Sequence, residues 1–393
     1  MKRLVFISTR FLFPATSGGA IRTRDILSGL KDHYHVVLLS PAPSNWMKWK
    51  DDLDAICSDF RPWKAKHRLK YHLDRLSSFT SGLPAAIACD ANPQAREQVK
   101  QALRGADLLV LDFPHAAILL DQQKPPPCPT LLFTHNVEHE IYARHAQICK
   151  NPFQSLIWNS QARLMKGWEE RVAKKMDGII TVSPRDEVYF KKHNDRVFAI
   201  PTAVDLERYP YAVPPKSSRH LVFIGSMNWS ANLDGINWFL EQIWPQLHTR
   251  IPDASLDIIG SHPGKALTNM ANRLDSVRVT GFVETIIPWL HKSALSIIPL
   301  RIGSGTRIKA IESMALGCPI VSTEIGIEGL NLTPGDHYLE ASDADSFTDA
   351  CARILEDSAI REKLSHNARK RAEEHHSLSA VQRSFLKACT SLT

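Results

Sequence analysis

Several features that would mark a specialised scaffold are missing from this sequence. Its seven cysteines, at 57, 89, 128, 149, 318, 351 and 389, form no CxxC pair and have no Cys/His ligand spacing. That usage points to reduced thiols in a reducing compartment and argues against a disulfide framework or a zinc site. Long apolar runs are missing too. The best of them, LLVLDFPHAAILL (108–120), is too short for a span and holds Asp112, Pro114 and His115. The opening MKRLVFISTRFLFPA loses its apolar run at Ser8, Thr9 and Arg10, too early for the core of a signal peptide, and reads as a first strand. There is no low-complexity tract and no internal repeat. No GxxxxGK[ST] loop occurs, and no GxGxxG follows the first strand, so P-loop and dinucleotide chemistry lose ground.

What is present is an ordinary globular composition, 44% hydrophobic and 23% charged, over 393 residues, a length that favours two domains. Net charge is +7 and unevenly placed. Residues 1–200 hold 29 Lys and Arg against 20 Asp and Glu, whereas residues 201–393 hold 19 against 21. An anionic partner should therefore meet the first half.

Apolar strands alternate with helical segments along most of the chain. Strand-like runs lie at 3–8, 35–40, 107–112, 130–134, 177–183 and 196–201, and again at 220–225, 255–260, 277–282, 295–300 and 319–323. Helical patterns fit 19–31, 153–176, 232–249 and 306–316, with two more between Arg353 and Glu374 and a last from Leu378 to Ala388. Near-continuous apolar strands separated by helices predict an α/β fold with parallel sheets covered on both faces. Four prolines in 201–219 mark a linker. The expected organisation is a domain over 1–200, the linker 201–219, a second domain over 220–377, and a C-terminal helix within 378–393 able to pack back on the first. In such doubly wound sheets ligands sit at the carboxyl ends of the strands.

Two strand–loop–helix junctions are rich in small residues. In the first, Gly18 and Gly19 open a helix after the first strand. In the second, Gly303, Ser304, Gly305 and Thr306 precede Arg307, Lys309 and Glu312. Glycine permits close backbone approach, and a helix N-terminus offers unpaired amides to an anion. Cations are unfavourable at that end of a helix unless an anion is present, so Arg307 and Lys309 are expected to face one. Glu312 lies on the apolar side of the same helix, where a carboxylate needs hydrogen-bond donors such as a vicinal diol. Phosphates at the loop and a diol further in describe a nucleoside diphosphate.

The stretch 299–323 resembles the C-terminal signature of the retaining glycosyltransferase family 4, of GT-B fold. So do Gly18-Gly19, THN (134–136), ITVSPRDEVYF (180–190) and IPTAVDLERYP (200–210). GSMNWSANLDGINWF (225–239) resembles sugar transferases of bacterial exopolysaccharide and exosortase loci. The resemblance implies two Rossmann-like domains facing across a cleft. It places the donor nucleotide in the second domain, with Glu312 on its ribose and Gly19, Gly225 and the 303–306 amides near the diphosphate. His135 falls on the family's active-site histidine position, with Asn136 beside it. Asp112, His115 and Glu138 are expected on the acceptor side. The chain departs from the family pattern at two places. Ser304 stands where a first glutamate is usual, and Ser226, Met227, Asn228 and Trp229 follow Gly225 where Arg and Lys are frequent. Arg307 and Lys309 are expected to supply the missing phosphate charge.

No DxD triplet reads as a metal–diphosphate clamp; Asp343-Ala344-Asp345 opens a late helix and fits a cap. The expectation is a cytoplasmic transferase needing no metal and no cofactor beyond its nucleotide-sugar co-substrate, with a glycan or lipid-linked acceptor. Basic, aromatic residues 44–79, with Trp46, Trp49, Trp63 and Tyr71, suggest an anionic membrane surface as partner, peripheral on the inner face. Nucleic acid is not expected, since no recognisable module for it is present. Two alternatives stand beside this reading: a catalytically silent nucleotide-sugar-binding partner, and a nucleotide-sugar epimerase of the same fold.

Overall fold

The computed structural model describes residues 1–15, 17–64, 82–121, 123–149, 151–302 and 307–393. The chain divides into two compact units, Met1–Pro201 with Val381–Thr393, and Thr202–Ala380.

The first unit is built on seven strands: β1 (Lys2–Ser8), β2 (Tyr34–Ala42), β3 (Asp59–Lys64), β4 (Leu108–Asp112), β5 (Thr130–Phe133), β6 (Gly178–Thr181) and β7 (Val197–Ala199). They hydrogen-bond in the order β3-β2-β1-β4-β5-β6-β7, every pair parallel. The second unit has six: β8 (His220–Ile224), β9 (Ser255–Ile259), β10 (Val277–Gly281), β11 (Leu295–Ile298), β12 (Ile320–Ser322) and β13 (Leu339–Glu340). Their order is β10-β9-β8-β11-β12-β13, again all parallel. Both sheets are doubly wound. Their strand order reverses between β1 and β4 in one and between β8 and β11 in the other, and a crevice forms at such a switch point.

All eleven strands expected from the apolar runs are present. Two more escaped the pattern. β3, DFRPWK, is an edge strand that holds Pro62 and three charges, and a proline is tolerated at an edge because it removes only one ladder hydrogen bond. β13 is two residues long. The helical pattern 232–249 is interrupted. Ser230–Trp238 passes through a π turn, Phe239–Ile243, into Trp244–Arg250. Pro245 has no N–H to continue the α ladder, and the wider turn absorbs the gap.

Residues 202–219, read as a linker from their prolines, lie with the second unit. Val204 donates its N–H to the His376 carbonyl (2.7 Å), Ala212 to that of Leu316 (3.2 Å), and Arg361 reaches the Pro215 carbonyl (2.6 Å). The C-terminal helix, Leu378–Thr390, runs into the first unit, where Phe385 stands edge-on to Phe133 (5.0 Å) and Gln382 donates to the Asp25 carbonyl (2.7 Å). Asp343 caps Ala344–Glu356 in a reciprocal capping box with Ser346, which accounts for the acids of 343–345 structurally.

Three of the four aromatics singled out in 44–79 face inward. Trp46 meets Phe60 edge-on (5.1 Å), Trp49 stacks on Phe13 (5.8 Å) and Trp63 is buried in the core. Tyr71 and four of the eight Lys and Arg there lie outside the described residues. Among the described residues no helix is long and apolar enough to cross a membrane.

Candidate active site

At the switch point of the first sheet, β1 and β4 run in register to their last residues, so Ser8 lies beside Asp112. Ser8 Oγ donates to Asp112 Oδ2 (2.7 Å). From the helix Gly18–Lys31, Thr23 Oγ1 donates to Oδ1 (3.2 Å), and the ring of His135, two residues past β5, places Nε2 2.8 Å from Oδ1. Asp112, expected on the acceptor side, is thus enclosed by its neighbours. It is 2% exposed and serves three side chains.

His135 is sandwiched by aromatics. It stacks on Phe113 (4.1 Å, 16°) and lies tilted against Phe133 (4.5 Å). Burial lowers its pKa despite the opposing pull of Asp112. A neutral ring whose Nε2–H is donated to a carboxylate carries its lone pair on Nδ1. That atom faces Gly19, where a Cβ would come within 3.7 Å of it. The small residue at the helix start thus keeps the acceptor atom of His135 uncrowded. Gly18 is the first residue of the same helix, whose amides Ser17 caps.

The strand end that carries His135 is held from below by Arg22. This fully buried guanidinium donates to the carbonyls of Thr134 (3.1 Å) and Ile200 (2.6 Å) and lies over Phe133 (4.5 Å). Burial pulls its pKa down to about 9, against the opposing pull of Asp112 and Asp186.

Asn136 and Glu138 turn toward each other. Glu138 is buried, and its carboxyl is pushed up to about 7, first by burial and then by the charge of Glu169, while Arg10 and a hydrogen bond with Asn136 pull it back. Glu169, from the long helix Pro152–Lys175, caps the preceding helix, Glu138–Ile148. It accepts from the N–H groups of Glu138 (2.7 Å) and His139 (3.0 Å) and bonds His139 Nδ1 (2.7 Å). His115, expected on the acceptor side, is instead buried in the turn Pro114–Leu119, edge-on to Phe113, with burial lowering its pKa to about 4.

The second cluster surrounds the switch point of the other sheet. Glu312, on the helix Ile308–Leu316, accepts a hydrogen bond from Tyr209 Oη (3.0 Å). Burial raises its pKa, offset in part by Tyr209 and Lys309. Arg307 is buried and Lys309 half-buried. The Lys309 ammonium donates to Asn232 Oδ1 (2.6 Å) over the ring of Phe223 (4.7 Å). Burial, then the neighbouring Arg307, lowers its pKa to about 7. Arg307 is 2% exposed; its Nε donates to the Ile325 carbonyl (3.0 Å), Glu328 lies 3.9 Å away, and its guanidinium sits over Trp229 (5.7 Å). Gly303, Ser304, Gly305 and Thr306 lie outside the described residues.

Gly225 follows β8 at this switch point. The Asn232 amide is packed where a Cβ would stand, with its nearest atom at 2.5 Å. Gly260 follows β9 with φ +154, and a Cβ there would stand 1.8 Å from the Gly225 carbonyl oxygen. Gly260→Ala should therefore cost about 2 kcal/mol or more of stability through overpacking and backbone strain, seen as a lowered melting temperature. A melting temperature equal to wild type would contradict that contact.

Ser8, Thr23, Arg22, Tyr209, Asn232 and Glu169 were not singled out as site residues from the sequence, although Tyr209 and Asn232 fall within stretches that carry the resemblance. Each reaches its partner across the fold, Tyr209 and Glu312 for instance from 103 positions apart.

Residues 218–357 match the model of the family described as glycosyl transferases group 1, and this span holds Gly225, Arg307, Lys309 and Glu312. Over 98% of its length the chain is 19% identical to an uncharacterized 44.6 kDa protein in the cps region of Klebsiella pneumoniae, all of which is covered. Over 68% of its length it is 21% identical to the lipopolysaccharide core biosynthesis mannosyltransferase LpsB of Rhizobium meliloti, covering 80% of that protein. Among solved structures, Anabaena HepE in complex with UDP matches over the full length of both chains, with a TM-score of 0.67 at 14% identity. The two Rossmann-like parallel-sheet units are those of the GT-B glycosyltransferases. The fold is thus of GT-B glycosyltransferase type, residues 218–357 are similar to the group 1 glycosyl transferases, and one relative is a transferase of lipopolysaccharide core biosynthesis.

Proposed function

We propose that the protein is a retaining, metal-independent hexosyltransferase of family 4. It moves a sugar from a nucleotide-diphosphate donor to a glycan or lipid-linked acceptor of a bacterial envelope polysaccharide, in the cytoplasm at the inner face of the membrane. The observation that carries this reading is Glu312, a half-buried carboxylate beside Tyr209 and Lys309, within the residues that match the group 1 model. Both oxygens of a carboxylate so placed suit the two hydroxyls of a ribose.

In the transfer the acceptor oxygen bonds to the anomeric carbon as the bond from that carbon to the diphosphate breaks. The acceptor proton leaves to a diphosphate oxygen or to water. Negative charge grows on the leaving diphosphate, and Arg307, Lys309 and the amides of 303–306 would balance it electrostatically, the role a divalent metal plays elsewhere. His135, neutral and with Nδ1 as its acceptor atom, is suited to accept a hydrogen bond from a sugar hydroxyl. A lipopolysaccharide transferase and a cps-region protein among its relatives favour a polysaccharide or its lipid-linked precursor as acceptor.

A thermal-shift screen against UDP-, GDP- and dTDP-sugars, with and without EDTA, tests the reading. One nucleotide class should raise the melting temperature, and EDTA should abolish neither that shift nor turnover. Stabilisation by a donor with neither hydrolysis nor transfer to any envelope acceptor would instead favour a silent binding partner.

Lys309 makes a further prediction. With its pKa near 7 the amine is largely neutral at alkaline pH, and a bound diphosphate favours the ammonium form. Nucleotide binding at about pH 8 should therefore take up a proton, roughly one at most, read by calorimetry from the difference between buffers of unlike ionisation enthalpy. Lys309→Met should abolish that uptake. An uptake left intact in the variant would place the proton elsewhere.

A further inference from the structure

The first unit exposes apolar side chains where its fold does not need them. Helices Glu138–Ile148 and Pro152–Lys175 form a hairpin that begins three residues after His135. Asn151 caps the second helix, accepting from the N–H groups of Phe153 (3.0 Å) and Gln154 (3.3 Å). From Gln161 onward that helix buries Gln161, Ala162, Met165, Trp168, Glu169, Val172 and Ala173, the spacing of an inward face. Residues 152–160 bury none. Phe153 is 71% exposed and Leu156 64%, a pair three residues apart on one face. Trp158 turns the other way, onto His145 (5.0 Å) and Tyr142 (5.8 Å), and anchors the tip.

Along the face that Phe153 and Leu156 begin, helical spacing brings Ser160, Arg163, Arg171 and Lys174, all exposed, with exposed Lys166 beside them. Acids do not offset these cations. Glu138 and Glu169 are buried, and Glu140 is paired with Arg144 and Arg185 at 3.0 Å. Only Glu170, half-buried, remains on this stretch.

We propose that this stripe docks the protein on an anionic bilayer. Phe153 and Leu156 enter the boundary between headgroups and acyl chains, while Arg163, Lys166, Arg171 and Lys174 lie along the lipid phosphates. Apolar residues at one end of a helix and cations along the rest suit an interfacial contact with acidic lipid. A second copy of the chain fits less well, because a two-fold contact through this stripe would set the same cations against each other. The proposal deepens the reading of a lipid-linked acceptor by naming the surface that brings the enzyme to it. The binding itself needs neither donor nor acceptor.

Co-sedimentation with vesicles of phosphatidylglycerol and phosphatidylcholine, against phosphatidylcholine alone, tests it. The wild type should bind the anionic vesicles and not the neutral ones. The double variant Phe153→Ser/Leu156→Ser should bind at least about tenfold more weakly, and Arg163→Glu/Lys166→Glu should lose binding likewise. Melting temperature and nucleotide-induced stabilisation should stay at wild-type values in both, which separates failure of this surface from failure of the transferase reading. Anionic-vesicle binding unchanged in both variants, or absent in the wild type, overturns the proposal. So does a concentration-dependent dimer that the Phe153/Leu156 variant abolishes.

Discussion

Asp112→Asn is expected to lower turnover by about 10²-fold, the cost of a misoriented positioning group, while nucleotide affinity stays at the wild-type value. Asp112 accepts from Ser8, Thr23 and His135 at once, and an ionised carboxylate has lone pairs for all three. An asparagine has one oxygen and an NH₂ group that only donates. If that NH₂ faces His135, the ring must take its proton at Nδ1, and the atom facing Gly19 becomes a donor where the wild type offers an acceptor. The ring stays where Phe113 and Phe133 hold it, but its hydrogen bonding is inverted. His135→Ala should lose a similar factor. Because the two residues act as one unit, the double variant should be no worse than the poorer single one. Saturating-donor kcat beside nucleotide-induced thermal shifts decides the matter. Wild-type turnover in Asp112→Asn, or a parallel loss of nucleotide binding, would falsify the tautomer argument. The low pKa of His135 adds a check: its acid limb should fall below the ordinary imidazole range, since the ring stays neutral until burial is overcome.

The fold was largely legible because most strands are short apolar runs and most connections between them hold a helix. Leu108–Asp112 and Leu295–Ile298 are buried at every position, so nothing but a covered parallel sheet suits them. β3 failed the same test for a physical reason: an edge strand can hold Pro62 and charges that a central strand cannot. The candidate site was legible only where chemistry is local. Lys309 and Glu312 share one helix, and Gly18 and Gly19 stand next to one another at the start of another. The partners that set their behaviour are far away: Ser8 and Asp112 are 104 residues apart, and Lys309 and Asn232 are 77 apart. Topology brings such pairs together, and no periodicity announces them. For the same reason Asp112 could be expected at a strand end yet not be seen to be saturated by hydroxyls. The cations at 307 and 309 were expected to face an anion from helix-dipole reasoning. Arg307 is buried with Glu328 3.9 Å away and Lys309 is half-buried on Asn232, and cations so placed at a helix N-terminus gain further from an anionic ligand.

Glu312→Ala should weaken nucleotide binding by roughly 10²- to 10⁴-fold, since each hydrogen bond from a ribose hydroxyl to an ionised carboxylate contributes about 1.5–3 kcal/mol. Tyr209→Phe should cost less, about tenfold, because it removes a donor that orients the carboxylate rather than the ligand contact itself. The effect on stability should go the other way. Burial raises the pKa of Glu312, so the folded protein holds that proton more tightly than the unfolded chain does. The group therefore favours folding at acid pH, and that contribution is lost as pH rises through the folded pKa. At neutral pH the ionised Glu312 is a burden on the fold. Removing it should leave the melting temperature unchanged or raised, because water can reach the half-buried Tyr209 hydroxyl left behind. Nucleotide affinity in the wild type should fall as the solution is acidified through the raised pKa, and that limb should be missing in Glu312→Gln. A carboxylate retained for packing would show the reverse, with lost stability on removal and a Kd indifferent to pH. Melting curves with and without nucleotide, taken across pH on the wild type, Glu312→Ala and Glu312→Gln, separate the two outcomes. A Glu312→Ala protein that unfolds early yet binds nucleotide normally would remove this residue from the site.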